Sequence, residues 1–401
     1  MKKVLLVGML FTFYQTGLTQ NPITVITKKQ KGIELVQKDS LFSMRFQFRM
    51  QNRMGYMSKS LEDFTPESFE FRVRRLRLGM RGFVYNPKFT YYIQLSFSRG
   101  DMDWESTNGS TINTSPNIVR DAIAYYEPLK GLKVGIGQTK LPGNRQRVTS
   151  SGNLQFVDRS IVNSTFTIDR DFGLFLSYDQ AYFRLKGAIT SGEGRNSSKS
   201  DKGLNYTGRV EVLPFGKFTG DNEDWEGDLE REKTPKLVLA AGYNYNVNSM
   251  RTGGTLGSDL HAPVDVQNIH ADALFKYKGF AFLQEYTNRF AENPITENSG
   301  KYRTVYTGHG LNTQLSYCFK NNYEVAVRFS YIAPNKDIYH HPIYTSVNEK
   351  RQEQLHLGLT KYLYGHRLKL QANVLYNLTK DLKNNSQTGQ FGGVFQIEMG
   401  I

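Results

Sequence analysis

Two long alternating runs on either side of a tight break at 86–88 constrain the fold of this chain most strongly. In the second run, 89–98, odd positions carry apolar side chains and even positions are mostly polar. Side chains alternate between the two faces of a β-strand, so this run predicts a strand with one apolar face and one polar face. The first run, 71–84, places arginines opposite its leucines, and Pro87 suits a hairpin turn between the two strands.

Alternation of this kind fits two fold classes. A soluble β-sandwich buries the apolar face of each strand, whereas a transmembrane barrel turns that face to lipid and its polar face to a watery lumen. Similar segments recur along the 401 residues, of which 13% are aromatic. Because aromatic girdles line both membrane interfaces of a barrel, the pattern favours the membrane class, with the sandwich as the alternative.

The number of alternating segments and the lengths of the breaks between them indicate the topology. About sixteen segments occur, an even number that suits a closed barrel with both ends on one side. Short breaks alternate with long ones such as 52–69, 100–117 and 248–267, while 214–235 is long on the side of the short breaks. The sequence therefore predicts an all-β fold, a transmembrane antiparallel β-barrel of about sixteen strands with long outer loops and short periplasmic turns.

The N-terminal segment 1–19 has the composition of a secretory signal peptide. Lys2 and Lys3 precede an apolar stretch, and small residues stand just ahead of Gln20. We expect 20–38 to be a periplasmic lead and 39–401 to form the barrel. No later apolar run is long enough for a membrane helix.

The positive charge of the chain is concentrated on one face of its predicted strands. The formal net charge is +14, which in an exported protein is typical of nucleic-acid binding, of docking on an acidic surface or of an anion path. Most strand cations lie opposite the apolar face, where they would line a lumen, so we expect an anion path and no nucleic-acid partner. The alternative is that these charges pair with acids and only hold water. The candidate pore-lining and anion-binding residues are Arg45, Arg49, Arg75, Arg77, Arg81, Arg145, Arg147, Arg159, Arg184 and Lys186.

The segment 140–168 does not alternate and is too long for a simple turn. Long loops without strands of their own are often functional. Because the segment carries Arg145, Arg147 and Arg159, we expect it to fold into the pore, narrow it and concentrate its positive field. The alternative is an outer-surface loop that binds the phosphates of lipopolysaccharide.

Signals for catalysis or for a bound metal are weak. Neither HExxH nor G-x-S-x-G occurs, and the acidic run 221–228 lacks the glycine and glutamate spacing of a calcium loop. We expect no enzyme activity and no cofactor. A lipase-like outer-membrane enzyme is the weaker alternative, since it needs a nucleophile and a base at one height on the outer face.

Several stretches resemble a known family. They are FRVRRLRLGMRGFVYNPKFTYYIQL at 71–95, GIGQTKLPGNRQRVTSSGNLQFVDRSIVNSTFTIDRDFGLFL at 135–176 and RVEVLPFGK at 209–217. Over most of its mature length the chain resembles the phosphate-selective porin O/P family. The resemblance implies an outer-membrane barrel, usually a homotrimer, with an arginine-lined path and a third loop, here 140–168, folded into the pore. The path would draw on Arg45, Arg75, Arg77, Arg81 and Arg145.

These observations predict a porin of the bacterial outer membrane that passes small hydrophilic solutes passively and prefers anions, with phosphate as a candidate. Closely spaced basic side chains would replace part of an anion's hydration shell. The expected partners are small anionic solutes, outer-membrane lipid and lipopolysaccharide, and further copies of the chain in a homotrimer. The alternative is a structural or docking barrel of a larger outer-membrane assembly, with its lumen plugged.

Overall fold

The computed structural model describes residues 23–28, 32–37, 41–98, 118–197, 203–341 and 349–401. No helix in these ranges is long and apolar enough to cross a membrane. The strands are β1 (Ile23–Lys28), β2 (Gly32–Gln37), β3 (Phe42–Ser58), β4 (Pro66–Val84), β5 (Asn86–Ser96), β6 (Val119–Leu129), β7 (Leu132–Lys140), β8 (Arg170–Asp179), β9 (Phe183–Thr190), β10 (Asn205–Val212), β11 (Lys236–Arg251), β12 (Asp259–Tyr277), β13 (Phe280–Phe290), β14 (Ile295–Asn298), β15 (Lys301–Thr304), β16 (Gly308–Cys318), β17 (Tyr323–Pro334), β18 (Arg351–Tyr364), β19 (Leu368–Lys380) and β20 (Gln387–Gly400). The short helices are α1 (Arg145–Val148), α2 (Ile161–Phe166) and α3 (Lys336–Tyr339).

Sixteen of the described strands close into one antiparallel barrel. Neighbours from β3 to β13 pair in sequence, β13 pairs with β16, and the series runs on to β20. Strand β20 then pairs with β3, from Gly392 opposite Met57 to Gly400 opposite Arg49. Closure lets the strands satisfy one another's backbone hydrogen bonds where lipid offers none. The predicted all-β barrel is confirmed.

Side-chain exposure is inverted relative to a soluble protein. Leu78, Leu239 and Leu357 are 45%, 46% and 57% exposed on the outer face, whereas Arg209 and Arg328 are almost fully buried inside. Leaving leucines outside while burying arginines is favourable only where lipid, rather than water, covers the outer face. This pattern excludes the soluble sandwich.

Several strands extend beyond the limits that alternation predicts. The connection between β3 and β4 is only 59–65, so the expected loop 52–69 is mostly strand, and β12 already begins at Asp259 within the expected loop 248–267. Both expectations were wrong because backbone pairing extends the strands beyond the clearly alternating segments. In β3 and β4, Met54 and Phe69 still lie on the outer face there. The connection 291–303 likewise contains the β14–β15 hairpin.

The N-terminal β1–β2 hairpin adds to the barrel beside its closing seam. Residues Ile33–Val36 of β2 pair with Ser43–Phe46 of β3, below the level at which β20 ends opposite Arg49. The hairpin thus covers the first residues of β3, which would otherwise present an open strand edge.

Candidate functional site

The segment 141–169, between β7 and β8, forms hydrogen bonds to the polar faces of strands on nearly opposite sides of the barrel. Lys369 of β19 donates from its Nζ to the carbonyl oxygen of Leu154 at 3.0 Å. Arg209 of β10 donates from its Nη1 to the carbonyl oxygen of Gly143 at 2.9 Å. The segment is therefore held through its backbone by side chains that point inward from the wall.

A second segment, the long connection 213–235, meets the first. The backbone N–H of Glu226 donates to the carbonyl oxygen of Asn153 at 3.0 Å. The Glu226 carboxylate accepts from the backbone N–H of Gln155 and from the Nε2 of Gln146, each at 2.9 Å. The two segments thus form one hydrogen-bonded unit, although one enters from the end with long loops and the other from the end with short turns.

Acidic side chains neutralise the cations on the β9–β12 side of the barrel. Arg145, whose side chain is 1% exposed, lies 2.8 Å from Asp272, 3.7 Å from Glu211 and 3.3 Å from Asp224. Arg184 contacts the same Glu211 and Asp224. Ion pairs of this kind leave little net field at these cations.

Lys186 joins the same network through Glu211, at 3.8 Å. Asp224 lies in the 213–235 connection and is central to the network. Burial alone would raise the pKa of its carboxyl, but Lys186, Arg184 and Arg145 outweigh burial and hold that pKa well below its usual range. Asp224 therefore stays ionised, and this side of the lumen keeps its internal counter-charge, at any ordinary pH.

The β3–β4 side of the barrel is arranged differently, with arginines facing arginines. Arg45 lies directly opposite Arg81 and Arg49 directly opposite Arg77 in the register of the two strands. Like charges at directly opposite positions destabilise a sheet. Their carboxylate neighbours come from other elements: Glu34 of β2 lies 2.7 Å from Arg45, and Glu398 of β20 lies 3.8 Å from Arg49.

These facing arginines line a cavity of about 550 Å³. Among the residues that the structure describes, five arginines and two glutamates contribute to its wall, a formal excess of three positive charges. Gly79, between the two arginine pairs, leaves open space where another residue would have a side chain. The charged residues of the wall are Arg45, Arg49, Arg77, Arg81, Arg367, Glu230 and Glu398.

A β-bulge in β4 brings two further arginines to the interior. Gln51 of β3 pairs with Arg75, but the next residue, Asn52, pairs with Val73, so that Arg74 is the extra residue. A bulge adds one residue to one strand and re-aims its side chains. Arg74 and Arg75 consequently both approach a carboxylate of the 141–169 segment.

That carboxylate belongs to Asp158, which also lies 2.6 Å from Arg53. Alternation alone does not predict Arg53, Arg74 or Asp158 as site residues. A signal was present in the change of apolar positions from odd numbers up to Val73 to even numbers from Leu76 onward, which marks an inserted residue.

The remaining predicted site residues lie in the 141–169 segment. Arg147 pairs with Asp169. Arg159 donates from its Nη2 to the carbonyl oxygen of Thr149 at 2.8 Å, and burial together with the nearby charge of Arg77 lowers the pKa of Arg159 to about 10. Within the described ranges, no cluster of His, Cys, Asp and Glu could hold a metal ion.

The ten predicted site residues therefore fall into four groups, and their roles in anion passage stay predictions. Arg45, Arg49, Arg77 and Arg81 line the cavity, and Arg75 approaches Asp158. Arg145, Arg184 and Lys186 are neutralised by acidic side chains on the β9–β12 side. Arg147 and Arg159 contact other residues of the 141–169 segment.

Known proteins resemble this chain in sequence and in fold. A family model described as phosphate-selective porin O and P matches residues 45–397. An uncharacterized protein of Aquifex aeolicus (strain VF5) is 24% identical over 411 residues, covering 94% of this chain and 91% of that protein. The anion-selective porin from Comamonas acidovorans superposes with a TM-score of 0.56 at 11% identity, covering 90% of this chain and 100% of that one. The outer membrane channel DcaP of Acinetobacter baumannii gives a TM-score of 0.55 at 11% identity, covering 91% and 99%.

Proposed function

Because the chain belongs to the phosphate-selective porin O and P family and is an outer-membrane porin, we propose that small anions, with phosphate as the candidate solute, diffuse passively through it along the arginine-lined cavity. The observation that carries the proposal is the register of β3 and β4, in which Arg45 faces Arg81 and Arg49 faces Arg77. Facing arginines disfavour an empty wall and favour one that an anion occupies.

The two facing pairs act as successive weak sites. They are four residues apart on β3, which corresponds to about 13 Å along the strand. An oxyanion between two guanidiniums accepts charge-assisted hydrogen bonds from both and exchanges part of its hydration shell for them. Several such sites in series let the ion enter without holding it, so no energy source is required.

The 141–169 segment narrows the path, and the positive field of the path is concentrated on its β3–β4 side. Ser150 and Ser151 of this segment accept hydrogen bonds from Arg49, at 3.1 and 2.8 Å, and so fix that guanidinium against the cavity. Acidic residues neutralise the opposite side. A permeating anion is therefore drawn toward the β3–β4 wall.

The proposal includes the expected surroundings of the barrel. Its exposed apolar band would contact outer-membrane lipid, its long loops would lie against lipopolysaccharide, and three copies would associate as a homotrimer. Chemical cross-linking of the protein in native membranes tests the trimer, with a ladder ending at three copies as the expected result and an uncross-linked monomer as the contrary one.

Efflux from lipid vesicles tests the proposed function. The purified protein is inserted into vesicles loaded with radiolabelled phosphate or with radiolabelled rubidium, at low ionic strength where screening is weak. We expect phosphate to leave faster than rubidium, and neither ion to leave vesicles that lack the protein. Faster efflux of rubidium would contradict an anion path.

The alternative, a docking barrel with a plugged lumen, is favoured by one observation. The segments around Asn153 and Glu226 meet through backbone and side-chain hydrogen bonds between the two ends of the barrel. A plugged barrel would release neither ion from vesicles and would co-purify with partner proteins in fixed ratio. Efflux of either ion from the purified protein alone excludes it.

A further inference from the structure

A groove of about 470 Å³ lies on the outer face of the barrel, across strands β10 to β13. Ala241 pairs directly with Ala271, and the next outward-facing residue of β12, Ala273, pairs with Leu239. Because the alanine side chains end at Cβ, they leave a depression in a surface that elsewhere carries leucines and aromatic rings. We call the space lined by Ala241, Ala271 and Ala273 the alanine groove.

A polar side chain, Gln284 of β13, also lines this groove. Gln284 pairs directly with Ala273, and its Oε1 atom accepts a hydrogen bond from the Oγ1 of Thr313 at 3.0 Å. Its amide N–H groups have no acceptor in the described ranges. Since hydrocarbon offers no acceptor either and an unmade hydrogen bond is costly there, a ligand that carries a carbonyl oxygen suits this position.

Basic side chains lie beside the groove at the end of the barrel with short turns. Tyr277 is four residues beyond Ala273 on β12, about 13 Å along the strand. The Nζ atom of Lys278, in the following turn, is 4.9 Å from the centre of the Tyr277 ring. At β16, the guanidinium of Arg231 lies 5.5 Å from the centre of the Tyr317 ring. The exposed Lys320 follows in the turn after β16. We call Arg231, Lys278 and Lys320 the basic rim.

The basic rim has no internal counter-charge. Within the part of the chain that the structure describes, none of its three cations forms an ion pair with a carboxylate. Other lysines at the same end of the barrel do form such pairs: Lys217 lies 2.8 Å from Asp179, and Lys133 lies 3.8 Å from Glu127. The rim therefore presents positive charge beside aromatic rings that face outward, where membrane lipid is the neighbour.

We propose that the alanine groove and the basic rim together bind an anionic phospholipid of the periplasmic leaflet, with its head-group phosphate on the rim and one acyl chain in the groove. The short turns mark the periplasmic end, and outward aromatic rings there lie at the level of the head groups. Each Lys or Arg near a membrane surface attracts anionic lipid, so the unpaired rim selects an anionic head group over a zwitterionic one. Between rim and groove, Gln284 can donate to an ester carbonyl oxygen of the lipid. All of these contacts lie outside the lumen, so the proposal is independent of anion passage.

Native mass spectrometry measures the lipid that the protein retains. The purified full-length protein in detergent is titrated with phosphatidylglycerol or with phosphatidylethanolamine of identical acyl chains. We expect the parent to bind phosphatidylglycerol more tightly, because only this lipid has a net negative head group. Lys278→Gln with Lys320→Gln should weaken phosphatidylglycerol binding about tenfold or more and change phosphatidylethanolamine binding little.

Matched variants separate this site from general effects of charge and surface. Lys133→Gln with Lys217→Gln removes two lysines at the same end that already pair with acids, and should leave phosphatidylglycerol binding close to that of the parent. Ala271→Phe fills the groove and should weaken the binding of both lipids. Ala372→Phe makes the same change on an exposed position of β19, away from the groove, and should weaken neither.

The possible results decide the proposal. Equal binding of the two lipids by the parent, or equal losses in the two double lysine variants, would overturn it. Unchanged lipid binding in folded Ala271→Phe would also overturn it, and loss of oligomers on native gels would then identify the groove as an interface between copies of the chain. Ala273→Leu fills the same groove if Ala271→Phe does not fold, and heat-modifiable migration on gels identifies the folded variants.

Discussion

Reversing the charge of Arg77 and Arg81 should reverse the selectivity of the channel. Both side chains lie on β4 and face the cavity, and each Arg→Glu substitution changes the local charge by two. Counted over the described residues of the cavity wall, the formal charge would change from an excess of three positive charges to one negative charge. We expect the double variant to prefer cations.

The size of the effect follows from the cavity. A volume of about 550 Å³ corresponds to a radius of about 5 Å, which places wall charges about 7 Å from the centre. At the dielectric constant of water each unit charge then contributes about 0.6 kcal/mol to the energy of an ion there. Four units give about 2.4 kcal/mol, and screening at about 0.1 M salt reduces this roughly by half, so anion occupancy falls about eightfold.

The assay is the reversal potential across a planar bilayer under a salt gradient, for parent and variant. The matched control is Lys278→Glu with Lys320→Glu, which makes the same charge change at exposed turns away from the cavity. We expect the control to shift the reversal potential much less than Arg77→Glu with Arg81→Glu. Equal shifts in the two double variants, or an anion preference that survives in the folded Arg77/Arg81 variant, would refute the assignment of selectivity to this wall.

Three further outcomes follow from the same geometry. Leu78→Arg, on the lipid-facing side, should lower the unfolding free energy in lipid vesicles by about 2–4 kcal/mol. Gln47→Glu, a charge placed among arginines on the lumen side, should not lower it; equal costs would mean that the faces are misassigned. Gly79→Trp should fill the space between the arginine pairs and reduce single-channel conductance by roughly half, so an unchanged conductance would place the path elsewhere. Arg209→Met should lower the unfolding free energy by about 1.5–3 kcal/mol because it removes one of the cations that neutralise the buried carboxylates of Glu211 and Asp272, and urea titration checks this value.

Alternation was sufficient to predict the barrel because lipid and lumen are different solvents on the two faces of every strand. Positions such as Leu239 and Arg209 report this difference directly. The same alternation does not predict where the strands end. At Ser58 and Asp259 the local composition is polar and is compatible with either a strand or a loop.

Only part of the site could be predicted from the sequence. The like-charged pairs follow from the register of two adjacent strands, so Arg45, Arg49, Arg77 and Arg81 could be predicted as a group. The neutralisation of Arg145 could not, because Asp224 lies 79 residues further along the chain and no local pattern places it there.

The inserted residue at Arg74 is an intermediate case. The change in apolar parity between Val73 and Leu76 is visible in the sequence, but its consequence depends on the position of Asp158. A bulge predicts which side chains change face, but it does not predict which residues those side chains contact. Contacts between the barrel wall and the 141–169 segment depend on tertiary packing, which the alternation of apolar and polar residues does not predict.

The reversal potential of the unmodified protein tests the central claim most directly. The purified chain is inserted into a planar bilayer with a tenfold gradient of potassium chloride, for which a perfectly selective pore gives about 59 mV. We predict a reversal potential with the sign that chloride permeation produces. The size of this potential should decrease as the total salt concentration rises, because screening becomes stronger. A potential of the opposite sign, or a folded protein that conducts no ions, would contradict an anion path along the β3–β4 wall.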